Sequence, residues 1–430
     1  MRTERLKEAA ARYGTPLYVY DLDILREQMT IFRKKLGTDI GLCFAMKANA
    51  FLTVPMAAMT ERIEICSFGE YQICRKLGIA PEKMLISGVL KKREELQIVL
   101  GACGENAVYT AESVRQFFLL SQLARENRRT LRVYLRLSSG NQFGMDEKTI
   151  CSLIRERAQH SQIQIEGLHY FSGTQKKSET LIGKELEKLD AFLCRTEKEE
   201  KFCWKHLEYG PGMGVSYFRG KNGNGAAGKE GAVSEDRSAS RTAGENTEVF
   251  QPGILEITER IRKMKWKGKI TLEMGRALTA MCGYYLTEIQ DCKRTEGRSY
   301  CIVDGGSHQM NYDGQVRGLY QPVIRVLDKK MPDNSKNTEN WTICGALCTV
   351  SDILAANVCL GDVKVGDQLV FERTGAYSST EGMALFLSHA LPAVVLYSER
   401  TGWKLVRRKQ ETYPWNMDGS RRCGEDGNTD

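Results

Sequence analysis

Apolar runs of four to seven residues recur along the first two thirds of the chain, at 40–46, 63–66, 84–87, 106–109, 131–137, 164–170, 205–209 and 269–273. Between them lie stretches such as Tyr71 to Leu77, Ala111 to Glu126 and Leu181 to Lys198, where apolar residues return every third or fourth position. That spacing belongs to helices with one buried face. Eight strands alternating with helices predict either a (β/α)8 barrel or an open sheet, and periodicity alone fits both. Polar residues favour the barrel. Lys47, His169, Gly210 and Glu273 stand at, or just past, the C-terminal end of a predicted strand, the face on which barrel enzymes build their sites.

After Gly283 the pattern changes. Short runs rich in Val, Ile, Tyr and Leu, at 284–290, 299–303, 342–344, 368–372 and 393–397, alternate with turn residues and predict an all-β domain. Leu17-Tyr18-Val19-Tyr20 reads as a strand ahead of the barrel, and Met1 to Tyr13 as a short amphipathic helix. Arg219 to Glu248 is dense in Gly, Ser, Ala, Asn and charge, too poor in apolar surface to offset ordering, and is expected to be a disordered insertion between the seventh and eighth barrel strands. Lys329 to Asn340 is a second polar loop, and the tail at 409–430 is expected to be loose. The expected division is 1–24, an N-terminal strand segment; 25–282, the barrel with its insertion at 219–248; 283–408, the β domain; then the tail.

Composition narrows the picture. At 430 residues the chain exceeds one usual core, and 42% hydrophobic with 27% charged residues is globular. No apolar stretch is long enough for a membrane span, and the N-terminus lacks a secretory core. Fourteen cysteines without a CxxC pair predict reduced thiols in a cytoplasmic protein. Five histidines argue against a metal site, and the net charge of +8 is dispersed rather than blocked, which argues against nucleic acid.

Three places carry candidate chemistry. Lys47 closes the first barrel strand among small residues; apolar walls there would disfavour the ammonium and free the amine as a nucleophile. Tyr209-Gly210-Pro211-Gly212-Met213-Gly214-Val215 follows a strand, and its glycines let main-chain N–H groups approach an anion, though Pro211 contributes none. Glu273-Met274-Gly275-Arg276 joins a strand-end carboxylate to a guanidinium suited to phosphate.

From Thr15 to Tyr397 the chain resembles the fold-type III pyridoxal-phosphate enzymes, the family of diaminopimelate, ornithine and arginine decarboxylases. Phe44-Ala45-Met46-Lys47-Ala48-Asn49 resembles their Schiff-base lysine segment, and the glycine turn their GGGFG with Pro211 at the middle position. Residues 273–276 resemble EPGR with Met274 for proline, and Gly167 to Gln175 resembles GLHxHxGSQ with Phe171 for the second histidine. Arg136 with Gln142-Phe143-Gly144 and Cys66-Ser67-Phe68-Gly69-Glu70 match further stretches. Cys344 to Asp352, Val365-Gly366-Asp367 and Thr374-Gly375-Ala376-Tyr377 resemble GPLCxxxD, GD and GAY.

The resemblance implies an alanine racemase-like (β/α)8 barrel whose C-terminal β domain takes up the N-terminal strand, and pyridoxal 5'-phosphate as cofactor. It makes Lys47 the Schiff-base residue and Glu273 the partner of the ring nitrogen, with His169 and Phe171 against the ring. Gly210, Gly212, Gly275, Arg276, Thr174 and Tyr377 would hold the phosphate. Cys348, reaching a neighbouring subunit's site, would return a proton to the substrate carbon, which implies a homodimer.

Substrate is read through Thr349 and Asp352. Relatives acting on ornithine or diaminopimelate place a carboxylate directly after the catalytic cysteine to hold the distal ammonium. This chain has Thr349 there, and a hydroxyl does not neutralise a buried ammonium. The Asp304-Gly305-Gly306-Ser307-His308-Gln309 segment and Phe171 to Gln175 are closer to the branch of secondary-metabolism decarboxylases. That branch includes the enzyme that decarboxylates glutamate held on an acyl-carrier protein in butirosin, an antibiotic. The expected function is therefore α-decarboxylation of an amino acid, free or carrier-linked. The alternatives are diaminopimelate decarboxylation in lysine biosynthesis, amino-acid racemisation, or a non-catalytic regulator that binds the cofactor.

Overall fold

In the computed structural model, residues 1–176, 178–219, 253–316, 319–329 and 339–419 are described, and the chain divides into two compact units. The first strand, β1 (Leu17–Asp21), belongs to the unit of C-terminal strands.

The other unit, within 26–278, is a closed barrel of parallel strands: β2 (Ile40–Ala45), β3 (Arg62–Ile65), β4 (Met84–Ile86), β5 (Val108–Ala111), β6 (Leu131–Arg136), β7 (Ile163–Phe171), β8 (His206–Gly210) and β9 (Lys269–Met274). All eight predicted strands are present. They were legible because both faces are covered, so β2, β3, β4 and β5 are buried at every position. Closure runs from Ile40 opposite Ile270 to Phe44 opposite Met274. Cys43, Leu85, Val108 and Tyr134, from four strands, cluster in the core. Beside them Arg62 pairs with Glu208 at 3.0 Å and lies over the Tyr134 ring, 5.3 Å from its centroid.

Several outer helices begin on side-chain caps. Ser67 Oγ accepts from the Glu70 N–H, Ser113 Oγ from Gln116 and Ser178 Oγ from Leu181. The helix Val114–Glu126 then buries Phe117, Leu120, Leu123 and Ala124 at helical spacing. Among the described residues no helix is long and apolar enough to cross a membrane.

The second unit holds β1 with β10 (Gly283–Thr295), β11 (Arg298–Val303), β12 (Ile324–Val326), β13 (Asn340–Cys344), β14 (Ile353–Cys359), β15 (Gln368–Glu372), β16 (Ala393–Ser398) and β17 (Gly402–Arg407). The strand order is β14-β13-β11-β10-β1-β16-β17, with β15 pairing both β10 and β12. β1 sits between antiparallel β10 and parallel β16. Leu17 and Val19 join Leu286, Val370 and Val395 in a core that also takes Leu6, Ala9 and Ala10 from the helix Thr3–Tyr13.

Three strands escaped the sequence pattern. β12 has three residues, β14 carries Ala-Ala-Asn with Asn357 at φ +54°, and β17 is a partly exposed edge. The tail expected to be loose is tied down at its start. Leu391 and Gln410 exchange main-chain hydrogen bonds, and Asn416 Nδ2 donates to the Leu385 carbonyl at 2.7 Å. Of the insertion at 219–248 only Arg219 is described, its N–H donating to the Gln321 carbonyl. The rest of it lies outside the described residues, as do most of 329–340 and the tail from 420.

Candidate active site

Lys47 follows β2 in a short 3-10 turn, Met46–Ala48. Its Nζ lies 2.8 Å from Glu64 Oε2, 3.5 Å from Cys66 Sγ and 3.8 Å from Glu273 Oε1. The sequence reading expected apolar walls; the structure places two carboxylates and a thiol there, and the side chain is 39% exposed. The apolar residues before Lys47 go elsewhere, with Leu42, Phe44 and Met46 fully buried. Two carboxylates thus stand within 4 Å of Nζ, where the sequence had pointed to a low-dielectric wall.

Glu273 is itself anchored. His169 Nε2 lies 2.8 Å from Glu273 Oε2, and an ionised carboxylate only accepts, so Nε2 carries the proton. Burial alone would raise the Glu273 pKa. The His169 hydrogen bond, with the charges of His169, Lys47 and Arg136, overcomes burial and holds it well below the ordinary carboxylate range. Arg136 is fixed in turn by Glu112 at 2.9 Å.

The opposite behaviour appears nearby. Burial pushes Glu208 up to about 7 against the pull of Arg62, and the Glu273 charge adds to the rise. Two carboxyls on adjacent strands are thus driven apart, Glu208 upward by burial and Glu273 downward by its His169 hydrogen bond and the cations around it.

The glycine turn after β8 is laced to the loop after β7. The Lys176 N–H donates to the Gly212 carbonyl at 2.8 Å, and the Val215 N–H to Gln175 Oε1 at 2.7 Å. A Cβ on Gly212, at φ +62°, would stand 1.9 Å from the Gly173 carbonyl oxygen; one on Gly210 would stand 2.6 Å from the Phe171 ring. Only glycine permits this approach. Glu185, from the helix Glu179–Glu199, collects Tyr209 Oη (2.8 Å), Lys176 Nζ (2.7 Å) and the Ser172 hydroxyl. Thr174 is exposed on this loop and Phe171 is half-buried. A Cβ on Gly275 would stand 2.7 Å from that of Ala48, which brings the start of the buried Arg276 segment against the Lys47 turn.

Lys47, His169, Phe171, Gly210, Gly212, Glu273, Gly275 and Arg276 thus gather at one end of the barrel. Glu64, Glu185 and the Arg62–Glu208 pair were missed by the sequence reading. Their one local signal was Arg62 and Glu64, two charges at alternate positions of an apolar strand, which the pleat sends to the same face.

Cys348, Thr349, Asp352 and Tyr377 belong to the β unit. Cys348 is exposed on the loop between β13 and β14, beside Val350 at 97% exposure. Thr349 Oγ1 is 3.1 Å from Ser351 Oγ, and Tyr377 is half-buried at φ +65°. Asp352, expected from the sequence to contact substrate, is engaged by the main chain. It is 2% exposed; its Oδ1 accepts the Ser307 N–H and its Oδ2 the Leu347 N–H, both at 2.8 Å. Both oxygens are committed to backbone amides that need them, so the carboxylate shapes the Cys348 loop.

The family described as "Pyridoxal-dependent decarboxylase, pyridoxal binding domain" matches residues 22–280, more than half of the chain. An L-glutamyl-[BtrI acyl-carrier protein] decarboxylase of Niallia circulans is 26% identical, over 93% of this chain and 92% of that protein. A diaminopimelate decarboxylase of Aquifex aeolicus is 25% identical, over 96% and 94%. Among solved structures, diaminopimelate decarboxylase from Helicobacter pylori complexed with L-lysine superposes with a TM-score of 0.73, at 20% identity, over 94% of this chain and 96% of that one. Lysine/ornithine decarboxylase from Vibrio vulnificus complexed with putrescine gives 0.74 at 16%, over 92% and 98%. At these identities the structural likeness shows the fold.

Proposed function

Because the chain belongs to the pyridoxal-dependent decarboxylases, enzymes that use pyridoxal phosphate to remove an amino acid's carboxyl group, we infer that its substrate carries no free distal ammonium. The substrate class is a glutamate-like amino acid, free or tethered to an acyl-carrier protein, in the biosynthesis of a secondary metabolite. One observation carries this reading: Thr349 follows Cys348, and Asp352, the acidic group nearest in sequence, has both oxygens taken by backbone amides. An ammonium buried beside that loop would lack a counter-charge there, at a cost of several kcal/mol. The Niallia relative acts on a carrier-bound glutamyl group. Diaminopimelate is the second reading, favoured by the Aquifex relative at nearly the same identity.

Pyridoxal phosphate suits the residues present: a lysine, a carboxylate fixed by a histidine, and a glycine turn where a Cβ would clash. When bound, it supplies an electron sink for the bond to the departing carboxyl. Lys47 would hold it covalently, with Glu64, 2.8 Å from Nζ, placed to receive the proton that Nζ gives up. Glu273 would keep the ring nitrogen protonated, with His169 keeping Glu273 ionised and aimed. Phe171 would offer its face to the ring. Gly210, Gly212, Gly275 and Arg276 would hold the phosphate, with hydroxyls from Thr174 and Tyr377. Cys348, exposed on its loop, delivers a proton to the substrate carbon in a partner subunit, so the working form is a cytoplasmic homodimer.

The test has two parts. Borohydride should trap a pyridoxyl label on Lys47, with none in Lys47→Ala. CO₂ release should then be compared across free diaminopimelate, lysine, ornithine and glutamate and a glutamyl-carrier thioester. A specificity constant for diaminopimelate above all acidic and thioester substrates would return the chain to lysine biosynthesis.

A further inference from the structure

Cys66 stands apart from the other described cysteines in that its sulfur reaches the nitrogen of Lys47, at 3.5 Å. Its Sγ also lies 3.0 Å from Glu64 Oε1, while Lys47 Nζ takes the other oxygen of the same carboxylate at 2.8 Å. Cys66 is held from behind as well. Its N–H donates to Glu70 Oε2 at 2.6 Å, and Gly88, at φ +89°, packs so close that a Cβ there would stand 2.1 Å from the Cys66 carbonyl oxygen. The main chain that carries the thiol is thus held on both sides.

Resting on the assignment of Lys47 as the cofactor's lysine, we propose that Cys66 is a positioning residue for Glu64, its S–H donating to Oε1 so that Oε2 stays aimed at Lys47 Nζ. The ammonium must give up a proton at Nζ before its nitrogen can attack a carbonyl carbon. Glu64 Oε2 is an acceptor 2.8 Å away, and Glu273, at 3.8 Å, is already engaged with His169. Once Oε2 has taken that proton, Glu64 is a neutral carboxylic acid whose Oε1 is still an acceptor on a side chain only 3% exposed. A donor on Oε1 lowers the cost of that moment, since a buried acceptor left unmet is expensive.

The chemistry of the thiol suits a donor. Burial first, then the Glu64 charge, push the Cys66 thiol well above its ordinary pKa, against the opposing pull of Lys47. It therefore stays protonated at neutral pH and acts neither as a nucleophile nor as a second base. A serine at this position keeps an O–H in place of the S–H, whereas alanine or valine removes the donor.

The measurement is the rate at which cofactor-free protein attaches pyridoxal phosphate, followed by absorbance and by borohydride trapping, across about pH 6 to 9. Cys66→Ala and Cys66→Val should attach about tenfold more slowly, the size of one lost hydrogen bond to a charged group, and their rate profile should move along the pH axis. Cys66→Ser should restore the rate to within about threefold and restore the profile. Should the alanine protein fail to fold, the Ser–Val comparison decides the same question. Wild-type rates and profile in the valine protein, or a serine variant as slow as valine, would overturn the role of Cys66 alone. A pyridoxyl label retained by Lys47→Ala would instead overturn the lysine assignment, and this inference with it.

Discussion

Arg62→Met tests the electrostatics at the heart of the barrel. Arg62 is the cation paired with Glu208, at 3.0 Å with both side chains buried. Glu208 nevertheless sits near a pKa of about 7 instead of 4.5, because burial outweighs Arg62 and the Glu273 charge opposes ionisation. A raised folded pKa means that the folded state binds this proton more tightly than the unfolded state. The stability it contributes is fully present below about 4.5 and is lost as pH rises through about 7. Removing Arg62 raises the folded value further. Below pH 7 the carboxyl is already mostly neutral, so the variant loses little by this route. Above pH 7 the deficit should widen by about 1.36 kcal/mol per pH unit, reaching about 2 kcal/mol at pH 8.5. Urea unfolding of wild type and Arg62→Met at about pH 6, 7 and 8.5 reads the difference. The double variant Arg62→Met/Glu208→Gln, which has no carboxyl to titrate, should lose that pH dependence. A deficit constant across the range, or one that shrinks as pH rises, would refute the assignment of Glu208 as the group that titrates near neutrality.

Asp352→Ala should free the loop that carries Cys348. Loss of two acceptors for buried amides costs about 2–5 kcal/mol, and urea unfolding together with faster protease cleavage between β13 and β14 would report it; unchanged unfolding and cleavage would return Asp352 to a substrate role. Gly212→Ala places a Cβ 1.9 Å from the Gly173 carbonyl oxygen and should weaken pyridoxal phosphate binding at least tenfold by equilibrium titration, about what 1.4 kcal/mol of strain produces. Wild-type affinity would show that this turn does not shape the phosphate site. Mixing inactive Lys47→Ala and Cys348→Ala proteins should recover up to about a quarter of wild-type CO₂ release, since half the dimers formed by free exchange are mixed and each holds one intact site. No recovery despite proven exchange would place both residues in one subunit. Thr349→Glu should shift preference toward diaminopimelate by supplying the missing counter-charge, measured as the ratio of specificity constants; an unchanged ratio would disconnect this position from the distal group.

The barrel was legible because parallel strands covered on both faces appear as unbroken apolar runs, as at Ile40–Ala45. The polar end of each strand was legible for the same reason: Lys47 and Glu273 interrupt such runs. What stayed hidden depends on partners distant in the chain. Glu208 gains meaning only from Arg62, 146 residues earlier, and Glu185 from Tyr209 and Lys176. The amide partners of Asp352 were hidden as well, because no side-chain pattern reveals which main-chain N–H groups a carboxylate accepts from. In the β unit, the short β12 and the exposed edge β17 have too little alternating surface to register as strands.

The place of β1 also dictates an order of events during synthesis. Leu17 leaves the ribosome ahead of every barrel strand, yet its neighbours in the sheet are Leu286 and Ala393. The barrel residues lie between these in sequence, so that domain is fully translated and able to close while the segment before it still lacks both flanking strands. Until then β1, with every position destined for burial, is an adhesive ribbon with two open edges. Pairing so distant in sequence is slow, and a nascent chain in this condition is open to capture by another copy. Chaperone dependence should therefore centre on the Leu17–Asp21 segment, and a stall before Ala393 is translated should leave its β16 edge open and produce aggregates.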